Sequence, residues 1–392
     1  MLESDALPQV RDIMIDFARF TGLFPARKQP TRYLWTDAFA LCNFLELHGR
    51  TEDQLYGKLA RDLVDQVHAV LGRHRPDDRK KGWLSGLAEA KGRLHPTAGG
   101  LRIGKKLRER APDEPFDDEA EWDRDGQYFH YLTKWMHALN RCAAVLKDAK
   151  FNAWAIELAK GIHNSFVYTS RGSPHEKRMY WKMSTDLTYP LVSSMGHHDP
   201  LDGYVTYRCL DATRLRHTGG GGVLNLAGEL RDMAEMCRKR SWLTDDPLGI
   251  GGLLTDSYRL AQLIVSGVSN DQHLLLSVLS DALTGIQSSH KRGLLKAPLE
   301  YRLAFRELGL SIGLKALFKL DDLTREKKRL FDGQKVIYRN IKALIDYMPL
   351  VDEIETFWLN AANQESAIWT EHRDINMAML ATSLAPGAYL TV

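Results

Sequence analysis

The densest run of chemistry-bearing side chains is Lys182-Met183-Ser184-Thr185-Asp186, followed by Ser193-Ser194-Met195-Gly196-His197-His198-Asp199-Pro200-Leu201-Asp202-Gly203. It brings three carboxylates, two imidazoles and a lysine to the threshold of a helical pattern. Acid–base chemistry needs titratable groups held close enough for their surroundings to push their pKa values apart. Gly196 and Gly203 suit a sharp turn or a close backbone approach. Asp186, Asp202, His197 and His198 are therefore candidate catalytic residues, with Asp125 as a partner carboxylate. A capped helix start preceded by a solvated loop is the competing reading.

A weak repeat extends this pattern along the chain. Trp35-Thr36-Asp37-Ala38-Phe39, Asp125-Gly126-Gln127-Tyr128-Phe129, Asp202-Gly203-Tyr204-Val205-Thr206, Thr255-Asp256-Ser257-Tyr258-Arg259 and Trp369-Thr370-Glu371-His372-Arg373 each set an acid beside aromatic residues where a helix is expected to begin. Acids and threonines cap free N–H groups and oppose the helix dipole, which explains any one of them. Recurrence at every second helix or so is what a ring of hairpins shows when alternate helices aim their N-termini at one cavity. Aromatic faces offer rigid apolar platforms for sugar rings, and carboxylates and imidazoles bind hydroxyls. Trp35, Asp37, Tyr128, His130, Trp181, Asp256, Glu371 and His372 are candidate substrate-binding residues on that reasoning. Convergence would also crowd like charges and raise the pKa of one carboxyl.

The elements that must position these groups are helices. Period-2 alternation is scarce, and 3.6-residue periodicity recurs over 5–20, 35–48, 52–72, 126–147, 150–168, 203–216, 223–239, 252–267, 271–287, 299–318, 335–347, 349–360 and 366–383. Within 126–147 an apolar stripe (Tyr128, Leu132, Trp135, Leu139, Ala143, Leu146) lies beside a basic one (His130, Lys134, His137, Arg141). Short connections make consecutive helices antiparallel neighbours. Three stretches break the rhythm: 73–120, 169–202 and the glycine-rich joint 218–222. The apolar content of 179–202 predicts that it packs down over a cavity lined by Trp181, Asp186 and His197 or His198.

Helix number, hairpin rhythm and the acid–aromatic helix starts resemble the α/α toroid of the six-hairpin glycosidase-like superfamily, which includes glycoside hydrolases and N-acylglucosamine epimerases. The resemblance implies an all-α fold, one α/α-toroid domain over residues 1–392 with about six hairpins in two concentric rings. It also implies a sugar cleft at the inner-helix ends and a small-molecule or oligosaccharide substrate. For a glycoside hydrolase, two carboxylates flank the scissile bond at ~5–5.5 Å or ~6.5–9.5 Å. A sugar epimerase or isomerase would use His130, His197, His198 or His372 as proton carriers instead. A third reading is a toroid that only binds a glycan or a protein.

Other classes find no support. Fifty-three basic against 50 acidic residues give +3, too balanced for a nucleic-acid surface. Cys42, Cys142, Cys209 and Cys237 are far apart and form no CxxC, so neither a disulfide framework nor a cysteine zinc site is expected, and the setting reads as cytoplasmic. No apolar run reaches the ~18 residues of a membrane span. His197-His198-Asp199 lacks the spacing and second cluster of a metal site, and no metal or cofactor is expected. GxSxG and GxGxxG are absent. Gly99-Gly100-Leu101-Arg102-Ile103-Gly104-Lys105-Lys106 has a phosphate-friendly composition but no P-loop spacing, and reads as a flexible basic loop. Asp321-Asp322 sits in a charge-laced helical surface.

Overall fold

Thirteen helices of eleven residues or more carry the chain in the computed structural model, which describes residues 6–170, 172–173, 176–218, 225–238, 240–331 and 335–392. They are α1 (Leu7–Thr21), α2 (Leu34–Thr51), α3 (Gln54–Leu71), α4 (Phe129–Val145), α5 (Lys150–Phe166), α6 (Asp199–Thr218) and α7 (Ala227–Cys237). After these come α8 (Pro247–Val265), α9 (Gln272–Arg292), α10 (Ala304–Glu326), α11 (Lys335–Ile345), α12 (Pro349–Leu359) and α13 (Arg373–Leu384). The fold is all-α, and each amphipathic segment of the sequence corresponds to one of these helices. Apart from Thr218, the joint 218–222 lies outside the described residues.

The chain divides into two compact units, Thr21–Lys239 and Met1–Phe20 with Arg240–Val392. The continuous unit is built from the hairpins α2/α3, α4/α5 and α6/α7, and α4 lies between α2 and α6. First and second helices of a hairpin differ in how they are buried. On α2 every residue from Leu34 to Leu47 is buried, as expected of a helix enclosed on all sides. Its partner α3 buries one stripe, including Tyr56, Leu59, Leu63, Val67 and Leu71, and is capped by Asp53, which accepts from the Leu55 N–H at 2.8 Å. The resemblance implies this layering of enclosed first helices and one-sided second helices.

In the discontinuous unit α10 packs against α8, α12 and α13, and α8 forms a hairpin with α9. A Cβ on Gly251 of α8 would stand 2.0 Å from the Gly309 carbonyl oxygen of α10. The two backbones therefore cross in direct contact, and only glycine fits there. Helix α1 adds Val10, Met14, Phe17 and Ala18, all buried. Helix α8 starts earlier than the periodicity suggests. Asp246 caps it through the Gly249 N–H at 3.1 Å, with Pro247 in the first turn.

Among the described residues the strands are two or three residues long and lie in the loops of the continuous unit. β1 (Gln127–Tyr128), β4 (Lys182–Met183) and β5 (Pro190–Val192) form an antiparallel sheet in the order β1-β4-β5, and β2 (Val167–Thr169) pairs with β3 (Lys177–Met179). The loop 169–202 is thereby sewn to the residues just before α4. Lys182, fully buried, completes the seam by donating to Glu121 Oε1 (2.9 Å) and to the carbonyls of Glu121 (2.7 Å) and Arg124 (2.9 Å). The loop 73–120 is fastened by its arginines. Arg102 donates to the carbonyls of Arg73 (2.6 Å) and Val70 (2.8 Å), and the Arg73 guanidinium lies 4.1 Å over the Trp83 ring.

Candidate functional site

The N-terminal ends of α2, α4 and α6 meet in the continuous unit, and an aromatic cluster forms where they do. Trp35 of α2 lies 5.3 Å from Tyr131 and 5.9 Å from His130 of α4, ring to ring. Tyr128 touches the rings of His130, Tyr131 and Trp181 at 5.2–5.3 Å. The Trp181 ring stacks parallel to His130 at 6.2 Å and meets Trp122 edge-on at 5.2 Å. The hydroxyls of Tyr33 and Tyr131 are hydrogen-bonded at 2.6 Å. Trp181 is fixed from both sides: its carbonyl accepts from the Phe129 N–H at 3.4 Å, and its N–H donates to Ser194 O at 2.9 Å.

His130 is the titratable centre of this cluster. Its side chain keeps 25% of its surface open to solvent, yet the ring is deep enough for burial to hold its pKa well below the usual imidazole value; the Asp202 charge raises it and Lys134 lowers it further. The ring is thus largely covered, with a quarter of its surface open. At pH 7 it is neutral. Its Nδ1 makes no hydrogen bond and stands 3.8 Å from Asp199 Oδ1. The Trp35 indole N–H, on a side chain 7% exposed, also lacks a partner. Burial raises the Tyr128 hydroxyl, and raises that of Tyr131 to about 12.

Asp199 and Asp202 stand in the first turn of α6. Asp202 accepts from the Lys134 ammonium at 2.6 Å and from the Thr133 hydroxyl at 2.7 Å, which locks α6 to α4. A Cβ on Gly203 would press on the Phe129 ring at 3.0 Å, and one on Gly196 on the Asp199 carboxylate. Both glycines thus serve close approaches. His197 is exposed and His198 half-buried, their rings 4.7 Å apart.

The remaining carboxylates occupy separate places. Asp125, fully buried, is ion-paired with Arg102 and lies 3.6 Å from Arg75; it also accepts the N–H groups of Gly104 (3.0 Å) and Gly126 (3.1 Å). Asp37 is buried against Arg32 at 3.0 Å and accepts the Tyr33 N–H at 3.0 Å. Asp186 accepts from Lys80 at 2.6 Å, Thr188 Oγ1 at 2.5 Å and Ser184 Oγ at 3.0 Å. Burial would raise its pKa, but these donors outweigh it and bring it to about 2. In the other unit, Asp256 lies inside α8, 3.6 Å from Arg259, and does not start the helix. Glu371 ends a short helix, Ala367–Glu371, that Ser366 caps, and His372 precedes α13 with its ring 5.8 Å from Phe305. The structure thus brings together Trp35, Tyr128, His130, Trp181 and Asp202, while Asp37, Asp125 and Asp186 serve ion pairs of their own.

The sequence reading left Tyr33, Tyr131 and Thr133 out of the site. For Thr133 a signal existed, because three residues after His130 on a helix is the same face. Lys134 stood in the basic stripe, but its partner Asp202 is too distant in sequence to be read. A cleft of about 550 Å³ opens at the C-terminal ends of α2 and α4, lined by His48, Gly57, Lys58, Arg61, Val145 and Lys147, away from the 179–202 loop expected to border one. Among the described residues no three His, Cys, Asp or Glu side chains are grouped to hold a metal ion, and no helix is long and apolar enough to cross a membrane.

No family model and no curated protein matches the chain. It is similar to a solved structure of the cellobiose 2-epimerase of Bacillus thermoamylovorans, at 10% identity and a TM-score of 0.45, over 89% of this chain and 87% of that one.

Proposed function

We propose that the open side of His130 and the aromatic rings around it bind a carbohydrate and that the protein is a sugar isomerase or epimerase working by proton transfer in the cytoplasm. The observation that carries this reading is His130 itself: neutral, partly open, ringed by aromatic faces and 3.8 Å from a carboxylate. With its proton on Nδ1, toward Asp199, the imidazole keeps a free lone pair on Nε2, whose low basicity rises when Asp199 closes on the ring. That nitrogen takes the proton from C2 of an open-chain aldose, and the C–H electron pair moves into a C1–C2 enediolate. Asp199 then faces the imidazolium and stabilises it, a contact that tightens when substrate excludes water. Returning the proton to C1 on the same face, while the O2 hydroxyl proton passes to O1, gives the ketose and needs no second group at carbon. Returning it to the opposite face of C2 gives the epimer and needs a second donor, for which His198 is the nearest imidazole in sequence to the first turn of α6.

Paired-carboxylate hydrolysis draws less support from the site. A general acid must carry a proton near neutral pH, and Asp186, brought to about 2, does not. The test is proton exchange at C2 in D2O, followed by NMR over a panel of hexoses and β-linked disaccharides. The expected result is exchange with at least one sugar, lost in His130→Asn while the fold is kept. No exchange with any of them, or undiminished exchange in His130→Asn, overturns the proposal.

A further inference from the structure

The cleft at the C-terminal ends of α2 and α4 plays no part in the chemistry around His130. From Trp35 to His48 the α2 axis runs about 20 Å, at a rise of about 1.5 Å per residue. At about 550 Å³ the cleft has the size of a small-molecule site. Among the described residues its lining offers four basic side chains, His48, Lys58, Arg61 and Lys147, and no carboxylate. These arrive from three segments: the last turn of α2, the first half of α3 and the turn that follows α4. Val145 and Leu146 give the cleft an apolar wall.

Basic residues gather at helix C-termini because they oppose the dipole. Here the carbonyls that would call for them are already taken. Leu47 O accepts the Thr51 hydroxyl at 2.7 Å and His48 O the Glu52 N–H at 2.9 Å. Cys142 O and Ala143 O accept the N–H groups of Leu146 (2.9 Å) and Asp148 (3.2 Å). Lys147 has a φ of +54°, the left-handed conformation for which helix ends usually use glycine. Its side chain is exposed and pairs with no carboxylate among the described residues. A charge thus stands where glycine would sit with less strain. Lys58 pairs with Asp62, and Arg61 lies 3.6 Å from Asp148, which Lys150 shares at 3.1 Å. Asp65, the other carboxylate near Arg61, is exposed and does not line the cleft. Such exposed pairs contribute little, so a ligand exchanges them at small cost. The His48 ring is held in place: its Nδ1 donates to the Asp53 carbonyl at 3.1 Å, and it packs on Gly57, where a Cβ would stand 3.2 Å away.

We infer that this cleft is a second binding site and that it takes a small phosphate-bearing anion. Cations converging from three segments suit a tetrahedral group, which offers acceptor oxygens on every side. Arg61 adds a planar fork of donors, and Lys58 and Lys147 add compact charges on flexible stems.

Calorimetric titration of the full chain with inorganic phosphate, pyrophosphate and citrate tests this, at one ionic strength so that screening stays constant. Wild type is expected to bind one pyrophosphate per chain, more tightly than phosphate and than citrate. Lys147→Gly and Arg61→Gln should each weaken pyrophosphate roughly ten-fold, the scale of one charge-assisted hydrogen bond. Lys147→Gly also relieves the left-handed backbone, so its Tm should be no lower than that of wild type. Weaker binding in that variant therefore reports the lost charge and not a damaged fold. Lys342→Gln removes the same charge from the exposed face of α11 and should bind as wild type does. Absence of saturable binding of phosphate and pyrophosphate overturns the inference, as does undiminished binding in folded Lys147→Gly and Arg61→Gln. An equal loss in Lys342→Gln would reduce the effect to net charge, and a loss in His130→Asn would put the anion at the aromatic cluster; either result overturns the inference too. Citrate bound as tightly as pyrophosphate overturns the assignment to phosphate. The titration involves no sugar, so its outcome and that of the C2-exchange experiment are independent.

Discussion

Each unit buries polar networks among its enclosed helices, and a closed network of one contrasts with an open cluster of the other. In the discontinuous unit Arg302 grips Glu307 with two hydrogen bonds of 2.8 and 2.7 Å, and the same carboxylate accepts the Trp358 indole N–H at 2.8 Å. Glu355 is likewise surrounded, by Lys315 at 2.7 Å, Ser383 at 2.6 Å and Ser311 at 3.2 Å. These networks close on themselves. In the continuous unit, where α2, α4 and α6 begin, the His130 Nδ1 and the Trp35 indole N–H have no hydrogen-bond partner. A buried polar atom without a partner is a standing loss of free energy, which a ligand can recover. A closed network holds structure; unmatched atoms beside a partly open ring leave room for something else.

The largest expected effect sharpens the structural side of this contrast. Glu307→Ala leaves Arg302 buried and alone, so urea unfolding should show a loss of about 3–5 kcal/mol with kcat unchanged in the folded fraction. A loss under about 1 kcal/mol would mean that the closed network is ornamental. Asp125→Asn comes next. It strips the charge from a site holding two arginines and should cost about 3 kcal/mol by the same logic.

His130→Asn tests the other side. Its unfolding free energy at pH 7.5 should fall by about 1 kcal/mol, the usual cost of a single substitution. The pH dependence is more telling. The folded imidazole has a lowered pKa, so the unfolded chain binds more protons below its ordinary value of 6.5. That contribution is fully present above pH 6.5 and is lost as the pH falls below it. His68, His74 and His163 are lowered too, each chiefly by burial. Between pH 7.5 and 5.5 the variant should therefore lose less stability than wild type, by about 1 kcal/mol. An identical slope would show that His130 is not a deep, neutral ring.

The smallest effect belongs to Asp186→Asn. With the carboxyl brought to about 2 by Lys80 and its hydroxyl neighbours, its stabilising contribution is present above the unfolded value near 4 and fades as pH falls toward 2. Acid unfolding of the variant should be shallower over that window, by about 1 kcal/mol or less for a pair near the surface. C2 exchange should not change. Its loss in Asp186→Asn would move the chemistry away from His130.

What the sequence made legible follows from range. Periodicity is local, so every long helix was readable, and the co-occurrence of aromatics with polar residues marked Trp35, Tyr128, His130 and Trp181. Start signals misled where two competed: Asp256 lies in the apolar run of α8, and the true cap is Asp246 ahead of Pro247. The fate of each acid was not readable, because it depends on a cation brought from elsewhere. Asp125 meets Arg102, Asp202 meets Lys134 and Asp186 meets Lys80 only after folding. Spacing shows which residues share a face; it does not show which of them are already taken.

The division of the chain has a consequence for its birth. Residues 21–239 are contiguous, so that unit can fold while the rest is still being translated. Helix α1 is translated before that unit, but it belongs with residues 240–392, and its Phe20 ring waits for Arg373, whose guanidinium covers it at 4.9 Å. At about 5–20 residues per second, Arg373 is made on the order of 18–70 seconds after Phe20. For that interval Val10, Met14, Phe17 and Ala18 form a greasy stripe without its native cover. Helix α1 is therefore where a holding chaperone should bind, and its hold should end as α13 emerges.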